Sequence, residues 1–198
     1  EDFNATLLNG CKCNGKCDDE TCGHGGNYEI KNEQLILRDD RKCKDLLYEC
    51  NESCTCSIEN CLNRKVQYGP CDNLKIKNLE EKGCGLITLN KLSKGEFVCE
   101  YAGEILTKSE AIKRDKENHE LMRMNYIFCL NEMSTKSSDK IQTFIDPSRK
   151  GNIGRYLNHS CDPNCHILSV RSNSIIPKLS IFTNRDINAH EELTFSYG

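Results

Sequence analysis

Gly151-Asn152-Ile153-Gly154-Arg155-Tyr156-Leu157-Asn158-His159-Ser160-Cys161-Asp162-Pro163-Asn164-Cys165 is a dense run of hydrogen-bonding and soft metal-ligating side chains. An Asn-His pair follows a short apolar step, and a Cys and an Asp-Pro-Asn come next. Buried polar groups must be hydrogen-bonded or ligated, so such a run either faces water as a turn-rich loop or lines a site that supplies its partners. What surrounds the run decides between the two.

The chain has 198 residues, enough for one domain with a sizeable core, or one domain plus a small stapled module. It contains no apolar run long enough to cross a membrane as a helix. Its net charge is -3, from 27 Lys+Arg against 30 Asp+Glu. That balance argues against binding nucleic acid by charge alone and suits a basic peptide substrate. The outlier is cysteine, with 15 in the chain.

Nine cysteines fall between Cys11 and Cys61. Cys11-x-Cys13, Cys17 and Cys22 form one group; Cys50, Cys54-x-Cys56 and Cys61 form another, with Cys43 just ahead of it. Disulfides in a secreted protein are one explanation, and glycosylation sequons at Asn4, Asn51 and Asn158 are compatible with it. Two C-x-C pairs are awkward for disulfides, however, whereas short-spaced thiolates in polar sequence suit zinc. The segment has few apolar residues, so metal would supply much of its folding free energy.

Through Tyr68-Gly69-Pro70 the composition changes, which marks a boundary between residues 1–66 and residues 73–198. Short β-type runs follow at residues 74–76, 86–89, 97–101, 104–106, 126–130, 141–145, 179–183 and 193–197, which predicts several small sheets. One helix interrupts them: Thr107-Lys108-Ser109-Glu110 has capping-box spacing, and residues 111–124 are helix formers with mostly charged faces. Residues 133–140 read as a polar turn.

Three further motifs join the opening run. Glu81-Lys82-Gly83-Cys84-Gly85-Leu86 lets backbone approach a ligand closely; Phe97-Val98-Cys99-Glu100-Tyr101-Ala102-Gly103-Glu104 is a strand ending in a Gly turn; Glu191-Glu192-Leu193-Thr194-Phe195-Ser196-Tyr197-Gly198 carries two aromatics on one face. In this order and spacing they resemble the SET domain of lysine methyltransferases, over residues 73–198. The nine cysteines resemble the pre-SET module that precedes it, in which nine cysteines hold three zinc ions. Within that family the sequence looks closest to the methyltransferase half of the transposase-fused SET proteins, on Val98–Glu104 and on Val170-Arg171-x-x-Ser174-x-x-Pro177-Lys178-Leu179.

The resemblance implies a mainly β fold of several small sheets, with the Asn158-His159 segment and the last strand forming a pseudoknot, preceded by a loop-rich zinc module. It implies S-adenosylmethionine bound by Gly83, Cys84, Gly85, Tyr126, Arg155, Asn158 and His159. Tyr197 would orient the lysine amine, Tyr126 and Tyr101 would line its channel, and Phe195 would sit where methyl multiplicity is set. Without a hydroxyl there, di- or trimethylation is expected. Tyr101 also reads as a plain core aromatic, and Cys99 and Cys129 as small buried hydrophobes.

Zinc ligands implied are Cys11, Cys13, Cys17, Cys22, Cys43, Cys50, Cys54, Cys56 and Cys61. The family's first group ends in a second C-x-C, whereas this chain reads Cys22-Gly23-His24. Either His24 takes that place or Cys43, between Lys42 and Lys44, restores the count; a bridging position needs a thiolate, which favours Cys43. Cys84 stands where the family usually has Trp, and Ser196 where it usually has Asp. Related enzymes continue past Tyr197 into a post-SET segment whose cysteines join Cys161 on another zinc, so a site at Cys161 is expected only with that segment, which residues 73–198 do not include. The resemblance further implies a histone-tail substrate, probed most simply with histone H3 peptides, chromatin as the setting, a nuclear and chromosomal location, no membrane and no direct sequence-specific nucleic-acid binding. A catalytically weak SET module serving as a chromatin-binding scaffold is the alternative.

Overall fold

A computed structural model of the chain describes residues 9–13, 15, 17, 22–41, 46–80, 82–133 and 140–197. Along them run β1 (Tyr28–Lys31), β2 (Gln34–Leu37), β3 (Leu46–Tyr48), β4 (Leu74–Leu79), β5 (Gly83–Thr88), β6 (Phe97–Glu100) and β7 (Gly103–Leu106). Helix α1 (Lys108–Glu120) follows, then β8 (Phe128–Met133), β9 (Lys140–Gly151), β10 (Asn158–His159), β11 (Cys165–Arg171), β12 (Lys178–Thr183) and β13 (Glu192–Phe195). The several small sheets expected from the sequence are present: β1-β2, β10-β13-β5-β4, β3-β11-β12-β6 and β7-β9-β8.

The chain forms two compact units, one of residues 1–100 and 156–196, the other of residues 101–155 with Tyr197. In the first, β10 runs parallel to β13, pairing Asn158 with Thr194 and His159 with Phe195, which is the pairing that the pseudoknot requires. The core gathers Tyr28, Leu37, Leu47 and Val66 against Phe97, Leu168, Val170 and Phe182. Apolar residues of the cysteine-rich segment therefore bury against later strands instead of making a core of their own, and β3 extends a sheet by pairing in parallel with β11. The β1-β2 turn holds Asn32 and Glu33 at φ 51° and 64°, the left-handed pair of a tight hairpin.

In the second unit Thr107 caps α1, its hydroxyl accepting from the Glu110 N–H at 3.2 Å, as the capping-box spacing predicts. The helix stops at Glu120, short of the expected Met124. Met122 adopts φ 50°, its N–H donates to the His119 carbonyl, and that of Arg123 reaches back to Asn118 at 2.8 Å. These two bonds satisfy the last carbonyls and turn the chain out of the helix, with Met in the place glycine usually fills. Strand β9 is longer than the run at 141–145 suggests, because it continues through Asp146-Pro147 to Gly151 beside β7. Gly103 permits this approach, since a Cβ there would meet Pro147 N at 2.6 Å. The turn expected at 133–140 lies mostly outside the described residues.

Candidate active site and metal cluster

Eight cysteines of the first unit converge. Cys11, Cys13, Cys17 and Cys22 form one group with ligand atoms within 4.8 Å of one another, and Cys17, Cys50, Cys56 and Cys61 form another. Cys11, Cys50, Cys54 and Cys56 make a third, and Cys11, Cys22, Cys50 and His24 a fourth. The Sγ atoms of Cys11 lie 3.9 Å from those of Cys17 and Cys50. Four sulfurs about 2.3 Å from one tetrahedral ion stand about 3.8 Å apart, so the spacing fits zinc and is far beyond a sulfur–sulfur bond. Cys43 lies outside the described residues. The secreted reading also loses two of its sequons: Asn51 is fully buried, and Asn158 is hydrogen-bonded within its sheet.

Burial pushes the Cys17 and Cys50 thiols far above their ordinary value. Burial also acts to raise Cys56, but the Arg64 guanidinium and neighbouring cysteines outweigh it and hold that thiol at about 7. Arg64 is itself buried, 3.7 Å from Cys56 Sγ, with its Nη2 donating to the Asn51 carbonyl at 2.8 Å. One arginine cannot ionise eight thiols. A divalent ion that displaces their protons can.

The same unit builds the Gly-x-Gly turn. Gly83 has φ 74°, Cys84 is exposed, and a Cβ on Gly85 would crowd Asn158 Nδ2 and Glu192 Oε1 at 3.1 Å. Asn158 Nδ2 donates to Glu192 Oε1 at 2.8 Å and reaches the Cys84 carbonyl at 3.4 Å. Glu192 in turn pairs with Lys82 at 3.1 Å. The distant Gly-x-Gly and Asn-His motifs thus meet through one amide. His159 is exposed with its Nε2 3.5 Å from Cys161 Sγ, and Phe195 is buried. Among the described residues Cys161 joins none of the possible metal groups.

Three expected tyrosines belong to the second unit. Tyr101 is buried, its hydroxyl donates to the Tyr126 carbonyl at 2.8 Å, and its ring lies 6.1 Å from that of Phe128. Burial first, then Tyr197, Asp146 and Tyr126, push its pKa well up, so it stays protonated and keeps that bond. Arg155 sits over the Tyr126 ring, 5.2 Å from the centroid, a cation–π contact. Tyr197 is 52% exposed. Tyr126, Asp146, Ser148, Arg149, Arg155 and Arg114 border a cavity of about 390 Å³. Of the cysteines read as small hydrophobes, Cys99 is fully buried whereas Cys129 is only half-buried beside Gln142.

Two sets of residues escaped the sequence reading. Arg114 on α1 binds Glu104, Glu110 and Asp146 at 2.8–3.0 Å, tying the helix to β7 and β9. Its partners lie 10, 4 and 32 residues away, and only the i,i+4 pair with Glu110 has a local signature. The other is Asn164, almost wholly buried: its Nδ2 donates to the Glu192 carbonyl at 2.8 Å and its Oδ1 accepts from the Thr194 N–H at 2.9 Å. This side chain acts as an extra strand beside β13. Asn164→Ala strands both backbone groups, so a loss of about 2–4 kcal/mol is expected in denaturant unfolding, where a loss below about 0.5 kcal/mol would contradict the clamp.

Residues 83–198 match the family model described as SET domain. The chain is 41% identical over 192 residues to "Histone-lysine N-methyltransferase SETMAR" of Bos taurus, spanning 95% of this chain and 62% of that protein. It is 39% identical over 194 residues to "Probable histone-lysine N-methyltransferase set-23" of Caenorhabditis briggsae, 96% of this chain and 77% of that one. Among solved structures, the methyltransferase domain of human SETMAR superposes with a TM-score of 0.83 at 40% identity, over 98% of this chain and 69% of that chain. KRYPTONITE, solved with mCHH DNA, an H3(1-15) peptide and SAH, gives a TM-score of 0.74 at 26% identity, over 98% of this chain and 38% of that one. This chain thus spans about three fifths of the length of the cattle relative.

Proposed function

The chain belongs to the SET-domain family, and on that footing we propose that it transfers a methyl group from S-adenosylmethionine to a lysine amine of the histone H3 tail. The observation that carries this reading is the parallel pairing of Asn158-His159 with β13, which brings the Asn158 amide onto both Glu192 and the Cys84 carbonyl. Support for the substrate comes from the H3(1-15) peptide and SAH named with KRYPTONITE. Residues 1–66 are read as a pre-SET zinc module and residues 73–198 as the SET domain. Chromatin and the nucleus follow from a histone substrate.

The residues present fit the cofactor. In the first unit, nothing lies within 4 Å of where a Cβ on Gly83 would stand, so the backbone beside exposed Cys84 is approachable, and Asn158 fixes that backbone; in the second unit, Tyr126 and Arg155 offer a ring face and a guanidinium. S-adenosylmethionine, when bound, supplies a methyl group on a positively charged sulfur. The protein's own work is to align the amine in line with that methyl and to hold it uncharged. A free lysine has a pKa of about 10.4, and desolvation among aromatic side chains lowers it. We assign Tyr101 and Tyr126 to that aromatic wall, the Tyr101 hydroxyl being committed to the Tyr126 carbonyl, and Tyr197 to holding the amine nitrogen.

Phe195, buried at the end of β13, offers no hydroxyl to tether an amine or a water. Di- or trimethyl product is therefore expected from the full natural protein given labelled S-adenosylmethionine and H3 peptides, read by mass spectrometry. Phe195→Tyr should shift the product toward monomethyl. Only monomethyl product from the unaltered protein would sink the assignment of Phe195. A fully zinc-loaded protein that transfers no label would instead favour the scaffold reading.

A further inference from the structure

We propose that His24 is the ninth ligand of the zinc cluster, completing a third metal position with Cys11, Cys50 and Cys54. The inference rests on the reading of residues 1–66 as a zinc module and goes further in naming the ligand set. Three tetrahedral ions present twelve coordination positions, which nine residues fill when three of them bridge. The group Cys11, Cys13, Cys17, Cys22 and the group Cys17, Cys50, Cys56, Cys61 supply two positions and share Cys17. Among the described residues of these metal groups, Cys54 and His24 remain outside those two. Each of these groups with both Cys11 and Cys50, and they face one another with His24 Nδ1 3.7 Å from Cys54 Sγ. A third ion held by Cys11, Cys50, Cys54 and His24 then closes a triangle whose bridges are the thiolates Cys11, Cys17 and Cys50. Imidazole bridges two metals poorly, and this arrangement places His24 at a terminal position, where it need not.

The ring is also prepared for the role. His24 Nε2 lies 2.8 Å from the Asn9 carbonyl, which can only accept, so Nε2 carries the proton and Nδ1 presents its lone pair toward the sulfurs. The backbone is pinned on both sides: the Gly25 N–H donates to the Cys22 carbonyl at 2.8 Å, and Asn27 Nδ2 donates to the His24 carbonyl at 3.2 Å. Gly25 and Gly26, at φ 92° and 50°, allow the turn that brings the ring inward. Cys22-x-His24 thereby keeps the spacing of the C-x-C pairs while exchanging one sulfur for nitrogen. The reasoning from bridging that favoured Cys43 no longer applies, since the position to be filled is terminal.

The test measures metal per chain and ligand type in the whole protein, independently of activity. The unaltered protein and Cys43→Ser are expected to hold three zinc ions each, His24→Ala about two, and His24→Cys three. With cobalt in place of zinc, His24→Cys should move the visible ligand-field bands to longer wavelength, because a thiolate is the weaker-field ligand; Cys43→Ser should leave them unmoved. Should His24→Ala fail to fold, the cadmium-loaded, isotope-labelled unaltered protein decides, by one-bond coupling between cadmium and the His24 Nδ1. Absence of that coupling, or three zinc ions in His24→Ala with a loss in Cys43→Ser, would overturn the proposal. An unaltered protein without zinc would overturn the module reading itself.

Discussion

Tyr197→Phe is expected to cut methyl transfer at least about 100-fold, the scale lost when one aimed hydrogen-bond group is removed from a reacting centre. Tyr101 cannot take over, because its hydroxyl is committed to the Tyr126 carbonyl and burial keeps it protonated. Tyr126 presents its ring to Arg155. Tyr197, 52% exposed, is the tyrosine of the three whose loss should leave packing intact. Label transfer from S-adenosylmethionine to an H3 peptide, measured beside a thermal melt, checks both halves of the expectation. An unchanged melt with turnover within about threefold of the unaltered protein would remove Tyr197 from the reacting centre.

Cys50→Ser should have the largest effect on stability. Cys50 is fully buried and belongs to three of the four possible metal groups, so its loss disturbs more than one ion. Structural zinc contributes on the order of 10 kcal/mol to folding in small zinc domains. Losing even half of that lowers the Tm of a chain this size by roughly 10–20 °C. The effect should spread beyond the cysteines, since β3 pairs with β11 and Leu47 packs in the shared core. Strong chelators should reproduce it. Cys71→Ser, at a cysteine in none of the metal groups, serves as the control and should keep its zinc. A Cys50→Ser protein that melts within about 3 °C of the unaltered one would show that metal does not carry the fold.

Much of the site was legible because its signals are local. C-x-C spacing brings two sulfurs onto one small loop whatever the rest of the chain does, and the capping box at Thr107 acts within a single turn. Gly83 announces a conformation that few other residues tolerate, and Gly85 a close approach by Leu79 and Asn158 that a Cβ would block. The strands β1, β2, β3, β10 and β11 went unread because they are short or lack clean alternation, and β3 and β10 gain their register from β11 and β13, far away in sequence. Asn164 looked like part of a turn, and nothing near it in sequence says that it will bond the Glu192 carbonyl and the Thr194 N–H, 28 and 30 residues on.

By itself, then, the sequence determined the chemistry on offer: a thiolate-rich metal module, a glycine turn, an Asn-His pair and a closing aromatic strand, each set by residue type and short spacing. Tertiary structure alone decided which of these meet. It joined Asn158 to Cys84 and Glu192, set Arg114 among three carboxylates, and turned His24 Nδ1 toward Cys54. The physical reason is that a hydrogen bond or a coordination bond needs its partner within about 3 Å, and pairing between strands is fixed by register and packing over the whole unit, which no local pattern encodes.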